Sequence, residues 1–342
     1  MKRAILIAAA LGMVGVGTAR PDQIYTSTSD KPLNGKIISM TATAINLDRK
    51  DGPVDIPANE IIRIIFEGSP EGLTTAQRDM LHGEYEKAIE ALKKETAEDK
   101  RAEVADEIAF CRAYCTAQLA LSGAENPVEA GKLVLAFITG SPNSFHYLKA
   151  CELMGDIFVT LGKFADAQKY YAKLSQAPWP DYKIRALVAL GRSYLAQDNA
   201  ATADKSFDEA LGIDAPGELA EVQRTAARIG KARCMVLTGK TELALRNLNE
   251  VLDRADEMSP EINAMAYNAL GTALRKANKP KEAILAFLHV HLLYSVLPDL
   301  DAEAVANLEK LFTETHKPGH ARDMQEILNE KYRNSRWAKG VK

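Results

Sequence analysis

The chain has 342 residues, of which 26% are charged and 6% aromatic, and its formal net charge is −3. Proteins that bind nucleic acid or anionic membranes are usually basic, so this balance argues against both classes. The length exceeds that of one ordinary hydrophobic core, although repeat proteins need no single large core.

Residues 1–19 have the pattern of a secretory signal peptide. Lys2 and Arg3 precede an apolar run of 13 residues, and Gly17 to Ala19 supply small side chains for cleavage. Such a run is too short to span a bilayer core of about 30 Å. We therefore expect cleavage near Arg20, export to the periplasm or cell envelope, and no transmembrane helix in the mature chain. The alternative is an uncleaved N-terminal anchor helix.

Residues 20–68 read as a small β domain, because short β-rich runs alternate with turn residues and leave no room for a crossover helix. We expect strands within 23–28, 36–40, 44–48, 54–56 and 61–66, and a helical turn at 57–60. This order resembles the Sm-like or SH3-like β-barrels that follow signal peptides in some bacterial envelope proteins. The RNA binding known for Sm-like barrels is not carried over, because residues 22–68 include five basic and seven acidic residues. We expect the barrel to dock on the first helical hairpin, since a domain this small is marginal alone.

The sequence pattern of one helical hairpin occurs twice between residues 148 and 216. The residues that recur 36 positions apart are the pairs Gly155–Gly191, Phe158–Tyr194, Ala167–Ala203 and Tyr171–Phe207. This pattern resembles the tetratricopeptide repeat (TPR), in which a small residue of helix A and an Ala of helix B lie where the two helices cross. The resemblance predicts that Gly155, Gly191 and Gly271 lie at such contacts.

Degenerate copies flank the two clear ones and extend the array. The first Ala of helix B is expected at residues 88, 130, 167, 203, 244, 283 and 321, with steps of 36 to 42. We predict a mainly α fold, α+β overall: a TPR α-solenoid of about seven hairpins over residues 74–339, joined by a linker at 69–73 to the barrel.

The C-terminal stretch from Glu330 to Ala338 resembles the Tyr-Pro-x-Ser-x-(Trp)-Ala joint of bacterial envelope TPR proteins, with Arg333 in place of the proline. Proteins of the outer-membrane assembly and Tol-Pal coordinator type carry such joints. The segment Ser141–Phe145 echoes the joint with its proline kept. The resemblance implies an envelope location.

The sequence contains no recognisable catalytic or cofactor-binding motif. There is no phosphate-binding glycine loop, no Gly-x-Ser-x-Gly and no Rossmann fingerprint, and the six histidines are scattered. The four cysteines fit buried thiols within helices better than a metal site. We therefore expect a protein that is not an enzyme and that holds no cofactor or metal.

The concave face of a TPR array is lined by the A helices, and basic residues recur there. The candidate partner-binding residues are Lys149, Arg185, Arg192, Arg233 and Arg275, with Asn268 beside them. Arginine suits carboxylates because its guanidinium forms two parallel hydrogen bonds. We expect Arg192 and Arg233 to project into one concavity and to bind an acidic peptide or a C-terminal carboxylate. The alternative is an ordinary solvated helix face.

These observations predict an exported, non-enzymatic adaptor that binds a protein or peptide partner, and not nucleic acid. Two alternatives stay open. One is a structural assembly subunit that binds through apolar edges of the solenoid, and the other is an accessory or carbohydrate-active module of an envelope enzyme. A long open groove would favour the adaptor, whereas a pocket with convergent carboxylates would favour the enzyme module.

Overall fold

The computed structural model of the chain describes residues 21–96, 98, 100–254 and 259–339. The signal peptide predicted at residues 1–19 lies outside these ranges. Within them, a five-stranded sheet precedes fourteen α-helices arranged as seven consecutive hairpins, which confirms the predicted fold class. In the same ranges, no helix is long and apolar enough to cross a bilayer.

The N-terminal sheet is antiparallel, with strand order β4-β3-β2-β1-β5. Its strands are β1 (Asp22–Thr26), β2 (Ser29–Met40), β3 (Ala44–Asp48), β4 (Val54–Pro57) and β5 (Ile61–Ile65). A 3-10 turn at Ala58–Glu60 joins the two edge strands, where a helical turn was expected. Strand β2 begins earlier than predicted, because residues 29–35 pair with β1 before residues 36–40 pair with β3. Five antiparallel strands are what the Sm-like interpretation requires, and the barrel classification stays a prediction.

The sheet docks on the first helices, as its small size predicts. Ile24, Ile45 and Ile64 are fully buried in one apolar cluster that continues into the first and third helices. The buried Asp22 carboxylate accepts hydrogen bonds from the Ile37 amide at 3.0 Å and the Glu67 amide at 2.8 Å. The same carboxylate pairs with Arg101 at 2.8 Å. The sheet and the helices therefore share one core and one ion pair.

The helices follow the predicted hairpins closely. They are α1 (Glu71–Leu81), α2 (Tyr85–Leu92), α3 (Ala102–Ser122), α4 (Pro127–Gly140), α5 (Tyr147–Thr160), α6 (Phe164–Leu174), α7 (Pro180–Leu195), α8 (Ala200–Gly212), α9 (Glu218–Leu237), α10 (Thr241–Leu252), α11 (Pro260–Lys276), α12 (Pro280–Leu293), α13 (Pro298–Glu314) and α14 (Pro318–Lys331). Helix α1 begins inside the segment 69–73 that was expected to be a linker, because Leu73 is fully buried against the sheet.

The glycines predicted at helix crossings lie there. A Cβ atom added to Gly155 would stand 2.3 Å from the Tyr171 ring, and one on Gly191 would stand 2.5 Å from the Phe207 ring. The corresponding distance from Gly271 to the Phe287 ring is 2.7 Å. The absence of a side chain on helix A thus makes room for the aromatic ring of helix B in each hairpin.

The four cysteines are free and buried, as expected of small apolar residues in helices. Burial raises the pKa of the Cys115 and Cys234 thiols to about 12, so both are neutral at physiological pH. These thiols therefore pack as apolar groups.

Candidate functional site

The inner wall of the solenoid is a ring of six helices. The A helices of hairpins two to seven, which are α3, α5, α7, α9, α11 and α13, pack in that order, and α13 also packs on α3. The ring surrounds a central cavity of about 510 Å³. This volume lies in the range of about 300–1,000 Å³ that is usual for ligand sites. The concave surface is therefore a central cavity within a closed ring of helices, and not a long groove along an open array.

The C-terminal segment completes the ring. The Asn334 amide donates to the Gly123 carbonyl at the end of α3, at 2.9 Å. The Tyr332 hydroxyl donates to the buried Asp301 carboxylate of α13, and Trp337 Nε1 donates to Asp299 Oδ1 at 3.2 Å. This C-terminal segment thus ties the last hairpin to the second one.

Five of the six predicted site residues line the cavity. They are Lys149, Arg185, Arg192, Arg233 and Arg275. The sixth, Asn268, is fully buried behind the wall, and it donates to the Leu300 carbonyl at 2.9 Å and to Glu303 Oε2 at 3.4 Å. Arg192 and Arg233 face one cavity because each follows the small residue of its A helix.

Two of the basic residues are held by Glu152. Arg185 donates to both oxygens of Glu152, at 2.6 and 2.5 Å, and Lys149 pairs with the same carboxylate at 3.0 Å. Burial would raise the pKa of Glu152, but attraction to Arg185 and Lys149 outweighs it and lowers that pKa to about 2. Glu152 is therefore ionised at neutral pH and pairs with both cations, which leaves one net positive charge on the three side chains.

Two further arginines are paired with carboxylates of α13. Arg233 donates to Glu303 at 2.7 and 3.1 Å, and the Glu303 side chain is only 5% exposed. Arg275 donates to Glu314, with one contact at 3.2 Å, and this pair is more exposed. The Arg233–Glu303 pair is therefore a structural connection across the ring, whereas the Arg275–Glu314 pair contributes little to stability.

Arg192 is the exception among the predicted residues. Its guanidinium is exposed in the cavity and makes no hydrogen bond or close ion pair with any residue that the structure describes. The nearby Asp156 carboxylate instead accepts a hydrogen bond from the Tyr171 hydroxyl at 2.7 Å. Burial would lower the pKa of Arg192, but the nearby acidic groups, with Asp156 foremost, together raise it by more, so the side chain stays charged.

The cavity also contains carboxylates that the sequence analysis did not single out. Glu152 and Asp156 lie one turn apart on α5, which places both on one helix face. Burial raises the pKa of Asp156, whereas that of Glu152 is lowered. Arg185 occupies both oxygens of Glu152, and Tyr171 occupies one of Asp156. Glu152 and Asp156 are therefore both hydrogen-bonded within the cavity wall, and they are not a pair of free carboxylates.

A signal for these hidden partners was present in the sequence. Glu303 lies in the run Asp301-Ala-Glu-Ala-Val-Ala of α13, where charges interrupt an otherwise small and apolar stretch. Every residue of this run is buried. Charges in such a run need a buried partner, which the sequence does not identify because the partner comes from another hairpin. Among the described residues, no group of three or more His, Cys, Asp or Glu could hold a metal ion.

Comparison with known families supports the repeat assignment. The tetratricopeptide repeat model matches residues 148–177 and 184–216, the two copies identified from their spacing. None of the curated proteins matches the chain by sequence.

Solved structures share the fold at low sequence identity. A tetratricopeptide repeat protein from Parabacteroides merdae ATCC 43184 has a TM-score of 0.50 and 15% identity, over 79% of this chain and 96% of its own. The apo form of RapI has a TM-score of 0.52 and 11% identity, over 77% and 97% of the two chains. A Rap protein complexed with competence and sporulation factor has a TM-score of 0.50 and 13% identity, over 79% and 77%. The fold is therefore a tetratricopeptide-repeat solenoid preceded by a five-stranded antiparallel sheet.

Proposed function

We propose that this chain is a non-enzymatic adaptor that binds an acidic segment of a protein or peptide partner in the central cavity. Arg192 carries this proposal, because it is a charged donor on the cavity wall that makes no hydrogen bond or close ion pair with a carboxylate of the described residues. Tetratricopeptide repeats generally act as interaction scaffolds, which supports a binding role and not catalysis.

The charge of the wall supports an acidic ligand. The wall has seven cationic and six anionic side chains. Lys310 and Arg336 resemble Arg192 in having no ion pair within the described residues, although Arg336 lies over the Trp337 ring at 4.3 Å. Asp156, Asp299 and Glu261 are the wall carboxylates that likewise have no close ion pair within the described residues, although Asp156 and Asp299 accept hydrogen bonds from Tyr171 and Trp337. The wall as a whole therefore carries one net positive charge.

The size of the cavity limits what can enter it. A volume of about 510 Å³ admits a few residues of a peptide, and a folded domain cannot enter. A protein partner would therefore present a chain end or a flexible loop. Such a segment pays an ordering cost on binding, which keeps its affinity low for the contact area it makes.

Partner capture followed by titration tests the proposal. The chain from residue 20 onward would first be used to retain and identify partners from an envelope extract. Peptides from those partners would then be titrated calorimetrically against the parent, Arg192→Ala, and Arg246→Ala as a control from the exposed surface of α10. One charge-assisted hydrogen bond is worth about 1.5–3 kcal/mol, so Arg192→Ala should weaken binding roughly 10- to 100-fold. Affinity within twofold of the parent at low salt would refute the role of Arg192.

We also propose that the protein is exported to the periplasm or cell envelope. The charged start, short apolar run and small residues of 1–19 support this, as does the envelope-type joint at the C-terminus. N-terminal sequencing of the protein from its native cell should begin near Arg20. Recovery of intact Met1 in the cytoplasmic fraction would contradict export.

An apolar surface on one edge favours a second candidate, a structural assembly subunit. Leu285, Leu292 and Leu293 of α12 are 61–70% exposed, and Val296 after it is 55% exposed. Contiguous exposed apolar side chains commonly mark protein interfaces. A Leu285→Glu/Leu292→Glu variant should lose the assembly but keep the cavity ligand if this candidate is right. Retained assembly would exclude it.

A further inference from the structure

We infer that the segment Tyr332–Lys339, called the latch below, controls entry to the central cavity by closing the ring between α13 and α3. This regulation rests on the proposed function, because it concerns access to the same cavity. The latch overlaps the C-terminal stretch from Glu330 to Ala338, whose pattern resembles the joint of envelope TPR proteins.

The latch is anchored on the last hairpin at both of its ends. Tyr332 is fully buried and its hydroxyl donates to the Asp301 carboxylate. Trp337 donates to Asp299 at 3.2 Å, and both carboxylates lie in the first turn of α13. When the latch moves, it therefore moves with the α13–α14 hairpin.

The middle of the latch is joined to the second hairpin by a backbone hydrogen bond. The Asn334 amide donates to the Gly123 carbonyl at 2.9 Å. Gly123 ends α3 with φ of 90°, and a Cβ added there would stand 2.0 Å from the Ser335 nitrogen. Only glycine leaves room for this approach, since an added Cβ cannot be accommodated by moving a side chain. Gly123 is thus shaped for the latch as well as for the helix end.

The position of the latch makes it a gate. Each of the other junctions in the ring, from α3–α5 to α11–α13, joins hairpins that are consecutive in the chain, whereas the α13–α3 junction has no such connection. Opening the ring at the α13–α3 junction therefore costs the least free energy, because at every other junction the two hairpins are neighbours in the chain and pack as consecutive repeats. Arg336 and Trp337 also line the cavity, so release of the latch removes part of the wall. The closed ring admits short ligands, and the open ring admits bulkier ones.

Substitutions at glycine test the latch with a matched control. Gly123→Ala introduces the clash with Ser335, whereas Gly239→Ala adds a Cβ at a comparable φ of 81° with nothing within 4 Å. The chain has two tryptophans, so in a Trp179→Phe background Trp337 is the only fluorescent indole. Acrylamide quenching of Trp337 should rise at least twofold in Gly123→Ala and stay at the parental value in Gly239→Ala. Equal quenching in the two variants, with native circular dichroism, would overturn the latch.

A second measurement reads entry to the cavity directly. Thr272 lines the cavity, and the four native cysteines are at most 2% exposed, so Thr272→Cys supplies a selective thiol. In the parent, iodoacetamide should modify this thiol while a 5 kDa polyethylene glycol maleimide, a reagent of roughly protein-domain size, reacts at least tenfold more slowly. Gly123→Ala should abolish that difference, and so should Trp337→Ala if Gly123→Ala does not fold. A persistent size barrier in the folded variant would refute the gate.

These outcomes are separate from the test of the proposed function. Neither quenching nor thiol modification requires a partner, so they report on the latch even if no acidic peptide binds. Conversely, a partner that binds through Arg192 with equal rates in the parent and Gly123→Ala would support the adaptor and overturn the gate.

Discussion

Substitution of Gly191 by alanine tests the helix packing on which the whole array depends. An ideal Cβ on Gly191 would stand 2.5 and 2.6 Å from two carbons of the Phe207 ring. Carbon atoms pack best at about 3.5–4.0 Å, so the ring would have to move by roughly 1 Å. Phe207 cannot simply retreat, because a Cβ on Gly230 of α9 would stand 2.3 Å from the same ring. The ring is held between two glycine backbones, one from its own hairpin and one from the next.

The magnitude follows from two opposing effects. Overpacking a rigid core costs about 1–3 kcal/mol. Replacing glycine by alanine within a helix returns about 0.5–1 kcal/mol through helix propensity. We therefore expect Gly191→Ala to lower the free energy of unfolding by about 1–2 kcal/mol. Gly131→Ala in α4 is the control, because its Cβ would meet the nearest atom, of Ile157, at an ordinary 3.5 Å. That variant should gain about 0.5–1 kcal/mol.

Urea unfolding followed by circular dichroism at 222 nm, a helix-sensitive wavelength, measures both variants at about 25 °C. A double-mutant cycle with Phe207→Leu identifies the cause, because the smaller side chain relieves the clash. The loss in Gly191→Ala/Phe207→Leu should therefore be smaller than the sum of the two single losses. Equal stability of Gly191→Ala and Gly131→Ala would show that the Gly191–Phe207 contact is not as tight as the structure indicates.

Three further predictions concern the charged groups that hold the array together. Glu152→Gln should destabilise the protein at pH 7, by roughly 3 kcal/mol, because Arg185 loses its buried partner. The pKa of Glu152 is lowered to about 2 in the folded protein, against about 4.3 in the unfolded chain. The stabilisation by ionised Glu152 is therefore complete above about pH 4.3 and is lost as the pH falls from there to about 2. The free energies of unfolding of parent and variant, measured in urea, should converge toward pH 2. Arg233→Ala should cost about 3–5 kcal/mol of stability, because Glu303 would stay buried without its cationic partner. Arg192→Ala should change stability by less than about 1 kcal/mol. Equal thermal stability of the two variants would show that this pairing is wrong. Asp22→Ala removes an acceptor for two amides and the ion pair with Arg101, so limited proteolysis should release the sheet from the helices faster than in Asp51→Ala, a variant at an exposed turn.

Much of the fold could be predicted because its signals are local. The recurrence of Gly155 as Gly191, and of Tyr171 as Phe207, reports a contact within each hairpin, and such contacts repeat with the sequence. The residue after the small position faces the cavity for the same reason, so Arg192 and Arg233 were placed on one surface correctly. A repeat fold converts a short sequence pattern into a whole architecture, because each hairpin mainly contacts its neighbours.

Gly230 marks the limit of that reasoning. It contacts Phe207 of the preceding hairpin, and its Cβ would clash with the ring as severely as that of Gly191. In α9 the position that corresponds to Gly191 is Ala232, since Ala203 and Ala244 are also 41 residues apart, so the repeat pattern does not single out Gly230. That pattern describes contacts inside a hairpin better than those between hairpins. Contacts between repeats depend on the rotation from each hairpin to the next.

By itself the sequence determined the sheet, the seven hairpins, the buried thiols and the inward position of the basic residues. Only the tertiary structure decided which of those residues remain available to a ligand. Glu303 lies 70 residues from Arg233 and Glu314 lies 39 residues from Arg275, so neither pair has a local signature. The closure of the ring was decided in the same way, since small rotations between hairpins of unequal length add up over the array until α13 meets α3. That sum is a property of all the helices together, and it placed Arg192 on the cavity wall with no hydrogen bond or close ion pair to any residue that the structure describes.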